Sequence, residues 1–274
     1  MNVLLPRSKQ EALALLTQWP DAVPVAGGTD VLAHWPSRIA EHERTYLDLS
    51  GLTELRPLTW TNDALVLGAL TTYWDVISDK RAVAEFPLLV RAARQVGAIQ
   101  IQSRGTWAGN VINASPAADG VPVLMAYDAT VVLESTAGRE EVPLDRFYTE
   151  YKRMKRKQDQ LVVAIRVPRR RYDVELFEKV GQRRAQAIAK VGLAVTRSGG
   201  AWRVVAASMA PTIKRCPAVE QLLTGRTSVT KPEDLESTIA RDVAPIDDIR
   251  STADYRRRVM ARLLYYGLRG VAFA

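Results

Sequence analysis

Two glycine-bearing segments carry the residue types best suited to hold a phosphorylated ligand. The first is Val25-Ala26-Gly27-Gly28-Thr29-Asp30-Val31. Paired glycines let a backbone approach a ligand closely and adopt positive φ. Successive N–H groups in such a turn form a concave anion nest that suits a pyrophosphate. The spacing is not G-x-G-x-x-G, and no Gly-Lys-Ser/Thr follows, so neither common nucleotide-loop pattern is present. A plain left-handed turn would explain the same residues. The second segment is Thr106-Trp107-Ala108-Gly109-Asn110, followed by Ser115-Pro116-Ala117-Ala118-Asp119. Thr106 and Asn110 can bond phosphate oxygens, and Asp119 can accept from ribose hydroxyls. The competing reading is structural: Asn and Ser cap turns, and Asp starts the next helix.

These segments need elements to position them. Ser8 and Glu11 have capping-box spacing ahead of a leucine stripe that runs to Trp19 and Pro20. Val23–Val25 reads as a strand feeding the first loop, Val31–Trp35 as a helical turn, and Thr45–Leu49 as a further strand. Leu55–Trp60 and Leu65–Leu70 flank Thr61-Asn62-Asp63, a hairpin signal. Thr71 is placed to cap a helix through Ser78, and Phe86–Val96 reads as a second helix. Val121–Tyr127 is apolar and expected to be buried. Ala129–Glu134 and Leu161–Val167 read as strands. After the basic stretch Pro168–Arg171, three strands are expected (Glu175–Val180, Val191–Thr196, Trp202–Met209). Helices follow over Pro217–Leu223, Pro232–Arg241 and Ala253–Tyr266. The predicted class is α+β, divided at 1–52, 53–170 and 171–274.

The 274 residues include 38 Lys and Arg against 30 Asp and Glu, a net charge of +8. Basic clusters lie at Lys152–Lys157 and Arg166–Arg171. An excess of this size fits an anionic ligand or an acidic partner, but no nucleic-acid motif accompanies it, so a solvated face or subunit contact is expected. Cys216 is the one cysteine; one thiol cannot hold an iron–sulfur cluster or build a zinc site. It reads as structural. His34 and His42 are expected at the surface. No secretory segment or membrane-length apolar run is read, which makes the cytoplasm the default.

Taken together, the two loops resemble the flavin (medium) subunit of molybdenum hydroxylases, the family of bacterial xanthine dehydrogenases and carbon monoxide dehydrogenase. That family carries A-G-G-T/S and T-I-G-G-N…S-P-x-x-D at this distance; the second loop here reads T-W-A-G-N. Phe177, Lys179, Arg183-Arg184, Ile188-Ala189 and Val191 are similar to its F-x-K-x-x-x-R-R…I-A-x-V stretch. Ser208-Met209-Ala210-Pro211-Thr212 and Arg215-Cys216-Pro217 resemble a further family segment.

The resemblance covers nearly the whole chain. It implies two α/β subdomains of the vanillyl-alcohol-oxidase type that clamp FAD, plus a C-terminal α+β domain with a three-stranded antiparallel sheet. It assigns Val25, Ala26, Gly27, Gly28, Thr29, Asp30 and Val31 to the pyrophosphate. Thr106, Ala108, Gly109 and Asn110 fall to the diphosphate and ribityl chain, and Asp119 to polar cofactor groups. Ile112 matches a position near the isoalloxazine, Val162 an apolar adenine contact, and Lys179 a cation near the ring's polar edge. It also implies a small [2Fe-2S] subunit, a large molybdopterin subunit, and electron delivery to NAD or another acceptor. A stand-alone FAD oxidase and a basic nucleic-acid-binding protein are the alternatives.

Overall fold

The computed structural model describes residues 2–33, 44–225 and 228–273. His34, His42 and Trp35 lie outside the described residues.

The first section is a small parallel α/β unit: β1 (Asn2–Leu4), α1 (Lys9–Gln18), β2 (Val23–Val25), α2 (Thr29–Ala33) and β3 (Thr45–Asp48). β3 is central, parallel to both neighbours, with Leu47 fully buried. Parallel strands need long crossovers, which α1 and the stretch containing α2 supply. Ser8 caps α1 by accepting from the Glu11 N–H at 3.2 Å. Glu11 reaches one residue further back than a capping box requires, to the Arg7 N–H at 2.7 Å.

The second section contains β4 (Leu58–Trp60), β5 (Ala64–Gly68), α3 (Tyr73–Ser78), α4 (Lys80–Glu85), α5 (Pro87–Gln95) and α6 (Ile99–Gln102). It continues through α7 (Trp107–Asn113), α8 (Gly120–Ala126), β6 (Thr130–Ser135), β7 (Gly138–Pro143), β8 (Tyr148–Glu150), β9 (Arg153–Met154) and β10 (Leu161–Pro168). Its five-stranded sheet has the order β4-β5-β10-β6-β7, and the six helices are inserted between β5 and β6. Thr72, one residue after the expected Thr71, caps α3 in a full capping box with Asp75. Thr71 is instead buried, its hydroxyl donating to Arg56 O at 3.1 Å.

The third section holds β11 (Val174–Val180), β12 (Val191–Ser198), β13 (Ala201–Ala207), β14 (Lys214–Arg215), α9 (Pro217–Thr224), α10 (Glu236–Asp242) and α11 (Ala253–Gly267). Its antiparallel sheet has four strands, β11-β12-β13-β14, not the three expected. The fourth is a two-residue strand paired to Val205 and Ala206, too short to leave an alternating pattern in the sequence.

The period-2 alternation of this sheet buries both faces. Leu193, Val195 and Val204 join α9–α11 in one core. Phe177, Ala194 and Val205 face the main core of the first two sections. The element between is α8, every residue of which is buried. A helix apolar all round belongs in an interior, and α8 packs on α5, α7, β12 and β13. Its polar end is satisfied from across the junction, where the Thr196 hydroxyl donates to Ala126 O at 2.7 Å. Tyr127, fully buried, accepts from the Leu88 N–H and donates to Glu175.

Tyr127→Phe strands both the Glu175 carboxylate and the Leu88 N–H. Leaving buried polar groups unpaired costs about 1–3 kcal/mol. Urea denaturation is expected to show a lower midpoint at unchanged slope.

Candidate cofactor site

The two glycine loops meet backbone to backbone. A Cβ on Gly27 would stand 1.8 Å from the Arg104 carbonyl oxygen, so this position admits no side chain. Gly105 is enclosed less tightly, with Ile101 O, the Tyr73 ring and Thr29 Oγ1 all within 3.4 Å of the place a Cβ would take. Arg104 Nε donates back to Gly27 O at 3.3 Å, across 77 residues of sequence. On the far side Asn113 Nδ2 donates to Asp30 Oδ1 at 2.8 Å, and Lys152 Nζ bonds both the carbonyl and the side-chain oxygen of Asn113. Asp30 therefore serves as a strut between the loops.

Two features mark the surface left by this contact. Gly28 has φ +72°, and the N–H groups of Gly28, Thr29 and Asp30 have no acceptor among the described residues. In the second loop Asn110 Oδ1 is buried without a partner. An amide flip exchanges its oxygen for its nitrogen, so the same point can donate to a phosphate oxygen. Thr106 is the N-cap of α7, its hydroxyl accepting from the Gly109 N–H at 3.0 Å. Ala108 lies in the first turn of α7 and is not among the residues of positive φ, so alanine sits there without strain. Trp107 is fully buried and packs against Tyr73 at 4.9 Å between ring centroids. It belongs to the core beneath the loop.

Asp119 stands at the N-cap position of α8 but makes no capping bond. Its carboxylate turns to Lys179 Nζ at 2.6 Å; the two side chains are 14% and 7% exposed. Lys179 also donates to Gln95 O at 3.1 Å. The pair thus joins the second loop to β11. Burial raises the Asp119 carboxyl to about 6, more than the Lys179 ammonium lowers it.

Ile112 is half-buried against the main core, and Val162 is 4% exposed within it. Val162 is held in β10 opposite Leu133, and β10 packs on α7. Arg104, Asn113, Tyr73 and Gln95 were not legible as site residues, because their contributions are a main-chain contact, a strut, a ring edge and a carbonyl. The basic clusters are largely spent inside the chain. Arg156 donates to Gln160 O, Arg169 pairs with Glu85, Arg170 with Asp128, and Arg166 with Asp63.

Residues 1–170 match the family described as the FAD binding domain in molybdopterin dehydrogenase. The chain belongs to that family. Residues 177–271 match a second model, the CO dehydrogenase flavoprotein C-terminal domain. The carbon monoxide dehydrogenase medium chain of Hydrogenophaga pseudoflava is 29% identical, covering 94% of this chain and 92% of its own. The xanthine dehydrogenase FAD-binding subunit of Escherichia coli O157:H7 is also 29% identical, covering 90% and 87%. The solved carbon monoxide dehydrogenase from Hydrogenophaga pseudoflava, in a form lacking the Mo-pyranopterin moiety of its molybdenum cofactor, superposes with a TM-score of 0.85. That match has 29% identity and covers 96% of this chain and 94% of that one. This is an FAD-binding subunit of the molybdenum hydroxylase type and part of an oxidoreductase. Among the described residues, no helix is long and apolar enough to cross a membrane.

The Asp119 carboxyl titrates in a window set by its burial. The native state holds this proton more tightly than the unfolded chain does. Its contribution to stability is therefore fully present below about pH 4, falls as pH rises to about 6, and is level above. Denaturation measured across this range should show that fall, and Asp119→Asn should flatten it.

Proposed function

We propose that the Gly27–Val31 loop and the Thr106–Asn110 loop together hold the diphosphate of one non-covalent FAD, with Ala26 and Val25 framing the first loop. The observation that carries this reading is the main-chain contact of Gly27 with Arg104 and Gly105. It brings two segments distant in sequence to one point and leaves their free amides beside it. Asn110 supplies a buried amide to the same region. Asp119, held by Lys179, offers an acceptor to polar groups of the cofactor, and Lys179 places a cation near the ring. Ile112 and Val162 supply apolar surface toward the ring and the adenine.

The division at 1–52, 53–170 and 171–274 follows from this. The first two parts clamp the cofactor in the vanillyl-alcohol-oxidase manner, and the third covers it. When bound, the flavin supplies the electron chemistry, and the chain supplies binding, orientation and electrostatics. Electrons arrive from [2Fe-2S] clusters on a small partner subunit, fed by a molybdopterin centre on a large one. They leave to NAD or another carrier. The single cysteine supports this division, since a cluster must then sit on another chain. So does the similarity to proteins named as medium chains. The complex is placed in the cytoplasm.

Acid-released flavin is expected at one FAD per chain. Asn110→Ala removes a buried bond to a charged partner, about 1.5–3 kcal/mol, or a tenfold to hundredfold weaker FAD affinity by fluorescence titration. Unchanged affinity would remove Asn110 from the site.

Lys179→Met leaves the Asp119 carboxylate without its counter-charge. The midpoint potential of the bound flavin is expected to fall, by spectroelectrochemical titration, because negative charge on the reduced ring loses a nearby cation. An equal or higher potential would return Lys179 to a purely structural role.

A further inference from the structure

Ser208 follows β13 and has φ +61°. Left-handed backbone is strained for a residue that carries a Cβ. Such strain persists where the surroundings over-determine the conformation, and it gathers at ligand clamps. Ser208 is buried, and all three of its polar groups are bonded. Its N–H donates to Pro116 O at 2.7 Å. Its hydroxyl donates to Ala189 O at 2.8 Å. Its carbonyl accepts from Arg256 Nη1 at 2.7 Å. Arg256 is itself buried, and its Nη2 donates to Asp248 Oδ1 at 2.7 Å. The neighbours of Ser208 are held as well. Ala207 pairs with Gly192 in the sheet, and Met209 O accepts from the Ala244 N–H at 3.0 Å.

Two of these bonds end on the segments that carry the Asp119–Lys179 pair. Pro116 and Asp119 share the connection between α7 and α8. That connection leads into Gly120, where a Cβ would stand 2.9 Å from Asn110 Oδ1 and 3.1 Å from the Trp107 ring. Asp119 is thus held between a bonded carbonyl before it and a close contact after it. Ala189 lies near the end of the connection from β11 to β12. Beside it the Lys190 N–H donates to Val180 O at 2.7 Å, next to Lys179. Gly181 closes the same connection, with 2.6 Å between the place of a Cβ and the Ala187 Cβ. Ser208 bonds both segments at once.

We propose that Ser208 is a positioning residue for the Asp119–Lys179 pair. Its left-handed main chain clamps the Asp119 segment through Pro116, and its hydroxyl clamps the connection after Lys179 through Ala189. Arg256 holds the clamp from α11. The bearing of this clamp on the flavin rests on the cofactor arrangement under Proposed function. In that arrangement the C-terminal section sets the charge beside the cofactor through the main chain of one strained residue.

The test uses the full chain with isotope-labelled aspartate carboxyls, titrated by NMR, the Asp119 signal being assigned by its loss in Asp119→Asn. Lys179 and the Tyr73 hydroxyl are the titratable groups coupled to this carboxyl among the described residues. Burial is the larger cause of its elevation, and burial depends on the segment being held. A β-branched residue is a poor occupant of positive φ. Ser208→Val is therefore expected to move the Asp119 titration toward the ordinary aspartate range by at least about half a pH unit. Ser208→Gly keeps φ and both main-chain bonds and is expected to move it less. Arg256→Met releases the Ser208 carbonyl without touching its side chain, is expected to shift Asp119 in the same direction, and carries the test if the valine variant does not fold. Asp173, paired with Arg197, is expected to titrate as in the wild type in every variant. In protein loaded with FAD, Ser208→Val and Lys179→Met are expected to lower the midpoint potential without adding to one another. An unchanged Asp119 titration overturns the proposal. So does a glycine variant shifted as far as the valine one, a parallel shift of Asp173, or additive potentials. A shifted Asp119 titration with an unchanged potential in Lys179→Met overturns the cofactor arrangement instead.

Discussion

The site depends on a place where two main chains touch and no side chain can intervene. Gly27 lies against the Arg104 carbonyl so closely that even a methyl group would overlap it. That contact sets the distance between a loop leaving the parallel sheet and a loop entering α7. Everything that could grip a diphosphate is referred to it: the open amides after Gly28 on one side, and the buried amide of Asn110 on the other. Arg104 and the Asp30–Asn113 bond act as braces that hold the two loops in register. The loops stay in place because each is continuous with a packed element, β2 in the first case and α7 in the second.

A second constraint acts at the junction with the C-terminal sheet. The fully apolar α8 is covered on one side by α5 and α7 and on the other by β12 and β13. Polar groups at its ends find partners across the junction. Asp119 before it takes Lys179, Ala126 at its end takes Thr196, and Tyr127 after it takes Glu175. Buried polar groups left unpaired would be expensive, so these bonds specify one relative placement of sheet and helix. The second loop ends in Asp119. The same placement that completes the core therefore fixes the charge beside the candidate site.

The charge balance takes on a different meaning once the ion pairs are visible. The net charge of +8 and its basic clusters read from the sequence as a solvated face or subunit contact. Yet Arg156, Arg166, Arg169 and Arg170 spend their guanidinium groups on carbonyls and carboxylates of this chain. Surface pairs of this kind contribute little to stability individually, but they remove those residues from any steering role. Arg250 Nη1 is likewise paired, with Asp248 Oδ2 at 3.7 Å.

Much of the fold is legible in the sequence itself. Local chemistry determined the capped α1, the β2 strand into the glycine pair, the Thr61–Asp63 hairpin and the three long strands of the C-terminal sheet. Each follows from neighbours within a few residues. The paired loops were legible because glycine, hydroxyl and amide types at fixed spacing are themselves the chemistry. Tertiary structure decided the rest. The two-residue β14 exists only because β13 offers it an edge. Thr71 is buried with its hydroxyl donated to Arg56 O, which leaves the cap to Thr72. Asp119 declines its helix cap because Lys179, 60 residues later, is the stronger partner in a buried setting. Arg104 matters through its carbonyl, a group every residue possesses and no sequence pattern distinguishes. Sequence reports what a residue can do with its neighbours in the chain; packing decides which distant groups it must satisfy, because burial makes an unpaired polar group cost more than local preference can supply.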